Sequence, residues 1–350
     1  MNTKISEIPI IDLSETSGSA DITELATFLG QVFHQVGFAV VTNHGIPQAV
    51  TDAAFSHARA FFELPSKDRA SIDKRRSRHF RGWECEGSEY TNNRPDIREQ
   101  LDFWTPHQPR PRDVEPHYLR LLGPNQWPDE SIVPGFRPAI ESWIEGVRQL
   151  ADLLLRLLSI SLRLPPDHLG RAFGEECMSL CKVIKYPPTP PGQFGVNAHH
   201  DAGFLTVLAT DGNPGLEIQD AAGDWVPVPN VPGGLIVNLG EVLQKMTGNY
   251  FVATPHRVLT AGKRQSLAYF HGPSLDMPLL QLPLEPCFAE AVAASPRHAN
   301  AGFMIQIDEA EAGAADMSSP AHPDVYGDQL WNYFKRSYPE NVALHYGAER

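Results

Sequence analysis

The sequence predicts a mainly β fold with flanking helices: a sandwich or jelly-roll core behind an α/β N-terminal module. Two observations carry this. From Lys182 to His271 the chain breaks into short apolar runs of strand length, separated by turn formers such as Asp211-Gly212-Asn213-Pro214 and Ala222-Gly223-Asp224. Ahead of them, apolar residues recur at helical spacing around two isolated strands. Many short strands with this punctuation favour a sandwich or jelly roll over a parallel sheet.

In chain order, Ile8 to Leu13 reads as a strand. Asp21 and Glu24 have capping-box spacing before a helix with Ile22, Leu25, Leu29, Val32 and Phe33 on one stripe. Gly37 ends that helix, and Phe38 to Thr42 reads as a second strand. Pro47 opens another helix that turns Val50, Ala54, Ala58 and Phe61 inward. Residues 66–135 are rich in charge, Pro and Asn, with Trp83, Tyr90, Phe103 and Trp104 spaced through them, which suggests a surface excursion or a lid over a pocket. Pro138 to Leu164 is a long helix with Ile140, Trp143, Val147, Leu150, Leu154, Leu157 and Leu158 inward, stopped by Pro165-Pro166 and backing the sheet. Strands follow at Phe204–Thr210, Gly215–Gln219, Trp225–Val228, Leu235–Leu239, Val258–Leu259 and Leu267–His271. A Pro-rich, strand-like segment after Pro273 and an Ala-rich stretch from Ala289 to Ala315 lead to a last helix around Tyr326 to Tyr338; the residues past Pro339 either fold back over the barrel or fray. The expected division is an N-terminal module, 1–135, and a catalytic core, 136–350, forming one compact unit.

Hydrophobic residues make up 42% of the 350 and charged ones 20%, an ordinary globular balance. A net charge of −13 argues against nucleic acid or an anionic membrane as partner. The opening MNTKISEIPIIDLS lacks the apolar core of a signal peptide, and the apolar run from Leu150 to Leu164 is interrupted by Asp152, Arg156 and Arg163, so it is no membrane span. A cytoplasmic location is expected. The four cysteines fit it: Cys85 and Cys287 are isolated, and Cys177 and Cys181 would share a helix face with nothing nearby to complete a metal set. Oligomeric state leaves no mark in the sequence.

The chemistry concentrates between Tyr186 and His271. His199-His200-Asp201 is followed far downstream by His256. On a strand, residues i and i+2 share a face, so His199 and Asp201 would hold one ion while His200 points away. His256, opening a strand after Pro255, is the candidate third ligand. Two imidazoles and a carboxylate on one face of an octahedral ion suit ferrous iron, with positions left for substrate and dioxygen. Arg264 and Ser266 repeat the i, i+2 spacing. A planar, always-charged fork beside a hydroxyl suits the far carboxylate of a dicarboxylic acid whose other end chelates the metal. Three protein ligands, two oxygens of a 2-oxo acid and one open position make six. Asn238, between Val237 and Leu239, would either orient a ligand from behind or serve the sheet.

These motifs, in this order, resemble the isopenicillin N synthase-like family of iron(II)/2-oxoglutarate-dependent dioxygenases. The similarity extends to Ile8-Pro9-Ile10-Ile11-Asp12-Leu13, Val36-Gly37-Phe38, Asn43-His44-Gly45-Ile46 and Phe61-Phe62-Glu63-Leu64-Pro65. The resemblance implies a distorted double-stranded β-helix (jelly-roll) core, Fe(II) on His199, Asp201 and His256, and 2-oxoglutarate on Arg264 and Ser266. It implies that Tyr186, ahead of Pro187-Pro188, also touches the cosubstrate; many members carry Asn two residues earlier, where this chain has Ile184. It places Arg81-Gly82-Trp83 through Asp102-Phe103-Trp104 near the substrate mouth. A narrower similarity to bacterial ethylene-forming enzymes implies substrate contacts from Glu89, Asp96 and Arg336. The implied reaction consumes O2 and 2-oxoglutarate, releases succinate and CO2, and oxidises a small molecule by hydroxylation, desaturation or cyclisation, or releases ethylene.

Two other readings compete. An iron oxidase of the same fold can keep R-x-S for its substrate and use no 2-oxoglutarate; stoichiometric succinate separates the two. A zinc hydrolase would want a carboxylate base beside the metal water, and no H-E-x-x-H occurs. A non-catalytic binder would have no reason to keep both the metal set and the anion clamp.

Overall fold

The computed structural model describes residues 7–17, 22–91, 94–299 and 325–347. Its larger sheet has eight strands in the order β1 (Ile10–Asp12), β2 (Phe38–Thr42), β12 (Leu235–Leu239), β9 (Leu205–Thr210), β14 (Arg264–His271), β7 (Leu180–Tyr186), β6 (Glu99–Trp104) and β3 (Gly82–Glu84). All neighbours are antiparallel except β1 and β2. The smaller sheet runs β11 (Trp225–Pro227), β10 (Leu216–Gln219), β13 (His256–Val258), β8 (Val196–His199), and β4 (Tyr90–Thr91) pairs with β5 (Arg94–Pro95) in a separate ribbon. Strands from both sides of residue 135 share the larger sheet.

Period-two alternation decides which layer each side chain joins. Phe38, Val40, Ile184, Tyr186, Ile236 and Ala268 point inward from the larger sheet and meet Val196, Leu216, Ile218 and Val258 of the smaller one in a single apolar cluster. The opposite face, with Val183, Val207, Val237 and Leu267, joins the main core beneath the helices. There α1 (Thr23–Gln35) and α2 (Gln48–Phe62) pack against the central α4 (Phe136–Ser161), with the short α3 (Ser66–Arg69) between α2 and α4 in sequence. All seven expected inward residues of α4 are buried. Each such side chain contributes roughly 1.5–3 kcal/mol, which makes this helix the backing of the sheet. Gly37 turns the chain from α1 into β2 at φ +74°, and a Cβ there would lie 2.3 Å from Val252 O. Only glycine fits that approach.

The chain departs from expectation in several places. Residues 66–135 are not surface throughout: they supply β3 and β6, with Trp83, Phe103 and Trp104 buried and Arg81 donating to the carbonyls of His79 and Leu121, while Tyr90 and residues 108–113 stay exposed. A buried layer had the composition of a surface because its charges cancel internally. Lys74 pairs with Glu84 and Asp102, and Lys182 with Glu89. No strand follows Pro273 among the described residues beyond two isolated bridges, Cys177 with Ser274 and Pro278 with Val325. The Ala-rich stretch opens within α6 (Pro286–Ala293) and continues into α7 (Pro296–Ala299). Its remainder from 300 to 315, and the expected cap Asp21, lie outside the described residues. Downstream come α8 (Tyr326–Ser337) and, past Pro339, α9 (Pro339–Tyr346), so that stretch is helical up to Tyr346. The remaining helix, α5 (Glu241–Met246), follows β12. Cys181 sits in β7, so it shares no helix face with Cys177; all four cysteines are free. No helix among the described residues is long and apolar enough to cross a membrane.

Candidate active site

His199 and His256 are direct partners in the β8–β13 ladder, so the register itself brings two imidazoles together, their ring centroids 4.2 Å apart. Asp201 arrives differently from the strand geometry expected of it. β8 ends at His199, and Asp201 lies in the turn beyond, held by Glu241 N donating to its carbonyl at 2.8 Å. Gly240 permits that approach, since a Cβ there would stand 2.2 Å from Gly203 O. His200 points away, as expected, and pairs with Glu241. The Asp201 Oδ1 atom ends 3.6 Å from His199 Nε2 and 3.5 Å from His256 Nε2. Candidate ligand atoms of the three residues lie within 4.8 Å of one another, the one such cluster of His, Cys, Asp or Glu among the described residues.

Both imidazoles are turned by the same local device. His199 Nδ1–H donates to Asn197 O at 2.8 Å and His256 Nδ1–H to Thr254 O at 3.1 Å, each a carbonyl two residues earlier. A carbonyl only accepts, so each ring carries a proton on Nδ1, and in its neutral form presents a bare Nε2. Asp201 is oriented from the sheet: its Oδ2 accepts from Thr206 Oγ1 at 2.6 Å and Asn238 Nδ2 at 2.7 Å, which leaves Oδ1 facing the imidazoles. Burial pushes the His199 imidazole down to about 3, aided by the neighbouring His256. Burial opposes ionisation of Asp201, but His256, His199 and Thr206 more than reverse it and hold the carboxyl well below its ordinary value. Two neutral nitrogens and a carboxylate oxygen with outer partners already satisfied fit a divalent cation such as ferrous iron.

Inside the sandwich lies a second unfinished group. Arg264 and Ser266 share the inner face of β14, in register with Tyr186 and Ile184 of β7. The guanidinium stacks over the Tyr186 ring at 5.0 Å, and that ring fills the space left by Gly195, where a Cβ would come within 2.7 Å. Arg264 is 1% exposed, yet its Nε and Nη1 have no hydrogen-bond partner, nor does Ser266 Oγ. No carboxylate among the described residues pairs with it. A buried charge without a partner costs several kcal/mol, so the site calls for an anion.

Glu89 and Asp96, expected to meet substrate, are buried and already saturated. Glu89 accepts from Arg98 at 2.7 Å, Lys182 at 2.9 Å, Tyr333 at 3.0 Å and Gln100. Burial would raise its carboxyl, but Arg98 and Lys182 hold it well below the usual range. Arg336 is exposed on α8, on the same helical stripe as Gln329 and Tyr333. Those two reach Ala202 O and Glu89. Arg98, Lys182, Gln100 and Tyr333 were not anticipated as parts of this neighbourhood. The period-two placement of Gln100, Asp102 and Lys182 becomes legible only once β6 and β7 are recognised as strands.

Residues 8–130 match the family described as non-haem dioxygenase in morphine synthesis N-terminal, and residues 174–273 match the 2OG-Fe(II) oxygenase superfamily. A 2-oxoglutarate-dependent dioxygenase of Gibberella zeae is 34% identical over 290 residues, covering 81% of this chain and 75% of that protein. A full-length Neurospora crassa protein, solved in complex with alpha-KG, has the same fold at a TM-score of 0.70 and 21% identity, over 81% of this chain and 90% of that one. JOX2, solved with 2OG, Fe and JA, gives a TM-score of 0.65 at 26% identity over 79% and 78%. With that similarity laid over a largely buried His-Asp-His cluster and a double-stranded β-helix, the chain belongs to the 2OG-Fe(II) oxygenases and is a dioxygenase that uses iron(II), 2-oxoglutarate and O2.

Proposed function

We propose that His199, Asp201 and His256 hold the iron, that Arg264 and Ser266 clamp the far carboxylate of 2-oxoglutarate over Tyr186, and that the substrate is a small polar molecule. The observation that carries the clamp is the uncompensated guanidinium of Arg264 between the sheets. When bound, iron(II) supplies the centre at which O2 and 2-oxoglutarate react. The chain's own part is to turn both Nε2 atoms and Asp201 Oδ1 to one point, fix the cosubstrate by its distal end, and exclude water with the apolar residues around Tyr186. For the substrate, support comes from the inner face beyond Ile184, where Gln100, Asp102 and Lys182 replace the apolar residues found on the other side. Arg336, with no ion pair among the described residues, offers a cation at the rim. Relatives solved with thymine and with JA take small molecules.

Anaerobic addition of iron(II) and then 2-oxoglutarate should give a visible charge-transfer band, and a screen of small polar metabolites should find one that releases succinate in step with 2-oxoglutarate consumed. His199→Ala and His256→Ala should lose both iron binding and turnover. If either retained them, the ligand assignment would be wrong.

A further inference from the structure

We propose that Asp96 is a positioning residue for His199, acting through Asn197, and not a group that binds substrate. This rests on His199 being an iron ligand. Asp96 follows β5 and is 1% exposed. Its Oδ1 accepts from Asn197 N at 3.3 Å and from Asn197 Nδ2 at 3.1 Å. Asn197 lies in β8, two residues before His199, and its carbonyl is the acceptor that fixes the His199 ring. One carboxylate oxygen thus grips both the peptide N–H and the side chain of the residue that sets the tautomer and tilt of the imidazole.

The other oxygen is committed as well. Asp96 Oδ2 accepts from Thr91 Oγ1 at 2.7 Å and from Arg98 Nη2 at 3.0 Å. Four donors occupy the four lone-pair sites of the carboxylate, so a substrate would have to displace one of them. The segment is anchored in turn: Arg98 is held by Glu89, Asp96 N donates to Glu89 O at 3.0 Å, and Ile97 N donates to Phe194 O at 3.3 Å just ahead of β8. The bonds that orient the other two ligands come from elsewhere in the chain, Asp201 from Thr206 and Asn238, and His256 from Thr254. Asp96 therefore ties the segment around β4 and β5 to one ligand of the three. Groups that hydrogen-bond a metal ligand directly commonly account for about 10–100-fold in metal affinity; Asp96 acts one bond further out, through Asn197, so the lower end of that range applies.

The test uses the full chain under nitrogen, with iron(II) alone titrated against a coloured chelator. Asp96→Asn keeps the volume but removes the charge, and is expected to weaken iron binding about tenfold while the melting temperature of the metal-free protein changes little. Asn197→Ala keeps the carbonyl and the N–H, and should give a smaller loss. The double variant should be no worse than Asp96→Asn, because both changes break one linkage. After 2-oxoglutarate is added, the charge-transfer band of Asp96→Asn should shift in position, since the ring is released. Should Asp96→Asn fail to fold, Asn197→Ala answers the same question. Wild-type iron affinity in the folded variants overturns the proposal, as does a raised substrate KM with iron affinity intact. A His199→Ala control that still binds iron would instead overturn the ligand assignment; loss there with normal binding in the other two sinks this inference alone.

Discussion

Arg264→Leu separates a clamp from a structural arginine, because the two predict opposite signs for stability. Without cosubstrate, wild-type Arg264 is buried with Nε and Nη1 unpaired. Replacing such a charge by an apolar side chain is commonly neutral or stabilising by about 1–4 kcal/mol, less what the residual cavity costs. With 2-oxoglutarate the sign reverses. Two charge-assisted hydrogen bonds at roughly 1.5–3 kcal/mol each are lost, so affinity should fall about 10²- to 10⁴-fold. Melting under nitrogen with iron(II) reads both effects. At a hundredfold excess over Kd the cosubstrate stabilises the wild type by about 2.7 kcal/mol. For 350 residues that is about 4 °C, whereas Arg264→Leu at the same concentration should show almost no shift. A variant that keeps the wild-type shift, or that melts far below the wild type without cosubstrate, would refute the clamp.

The grip on Asp201 should also be measurable: Thr206→Val and Asn238→Leu each remove one donor from Oδ2 and should weaken iron(II) binding about tenfold, and normal affinity in both would show that the turn alone places the carboxylate. Stability should fall in mild acid through His79, which is buried, donates to Arg120 O and is pushed down to about 4 by that burial. The unfolded chain takes up the proton near pH 6.5 and the folded one not until about 4, so the stabilisation is complete above 6.5 and declines as pH falls through that window. Urea unfolding at pH 7 and pH 5 should differ by about 2 kcal/mol from this group, and His79→Gln should flatten the slope; identical slopes would count against it.

The candidate ligands could be picked out because the chemistry of their side chains survives an error about local structure. His199, Asp201 and His256 converge although Asp201 lies beyond the strand assigned to it; the spacing was right and the reason for it was not. Arg264 and Ser266 stood out by their i, i+2 spacing alone: the strand expected at Leu267 in fact begins at Arg264 and is buried along nearly its whole length, so no alternation marked them. What stayed hidden was β6 and the start of β7. Glu99-Gln100-Leu101-Asp102 reads as surface, yet every one of these residues is buried. Pattern reading equates charge with solvent, and that equation fails where Lys74, Lys182 and Arg98 cancel Glu84, Asp102 and Glu89 inside the protein. Glu89 and Asp96 show the same limit: a sequence displays their charge and conceals the partners that occupy it.

Burial across the site is graded, and the gradient fixes an order of events. Arg264 is 1% exposed, whereas the His199 side chain is 21% exposed. If Arg264 is the clamp, a dicarboxylate entering from the exposed side would pass the candidate metal ligands to reach it, and a substrate resting there would stand in its way. Cosubstrate should bind first. In stopped-flow experiments under nitrogen, the charge-transfer band should form quickly when 2-oxoglutarate meets the iron(II) protein, and several-fold more slowly when the protein is already saturated with substrate. Equal rates would mean a second route to Arg264, one that runs between the sheets and leaves the ligands aside.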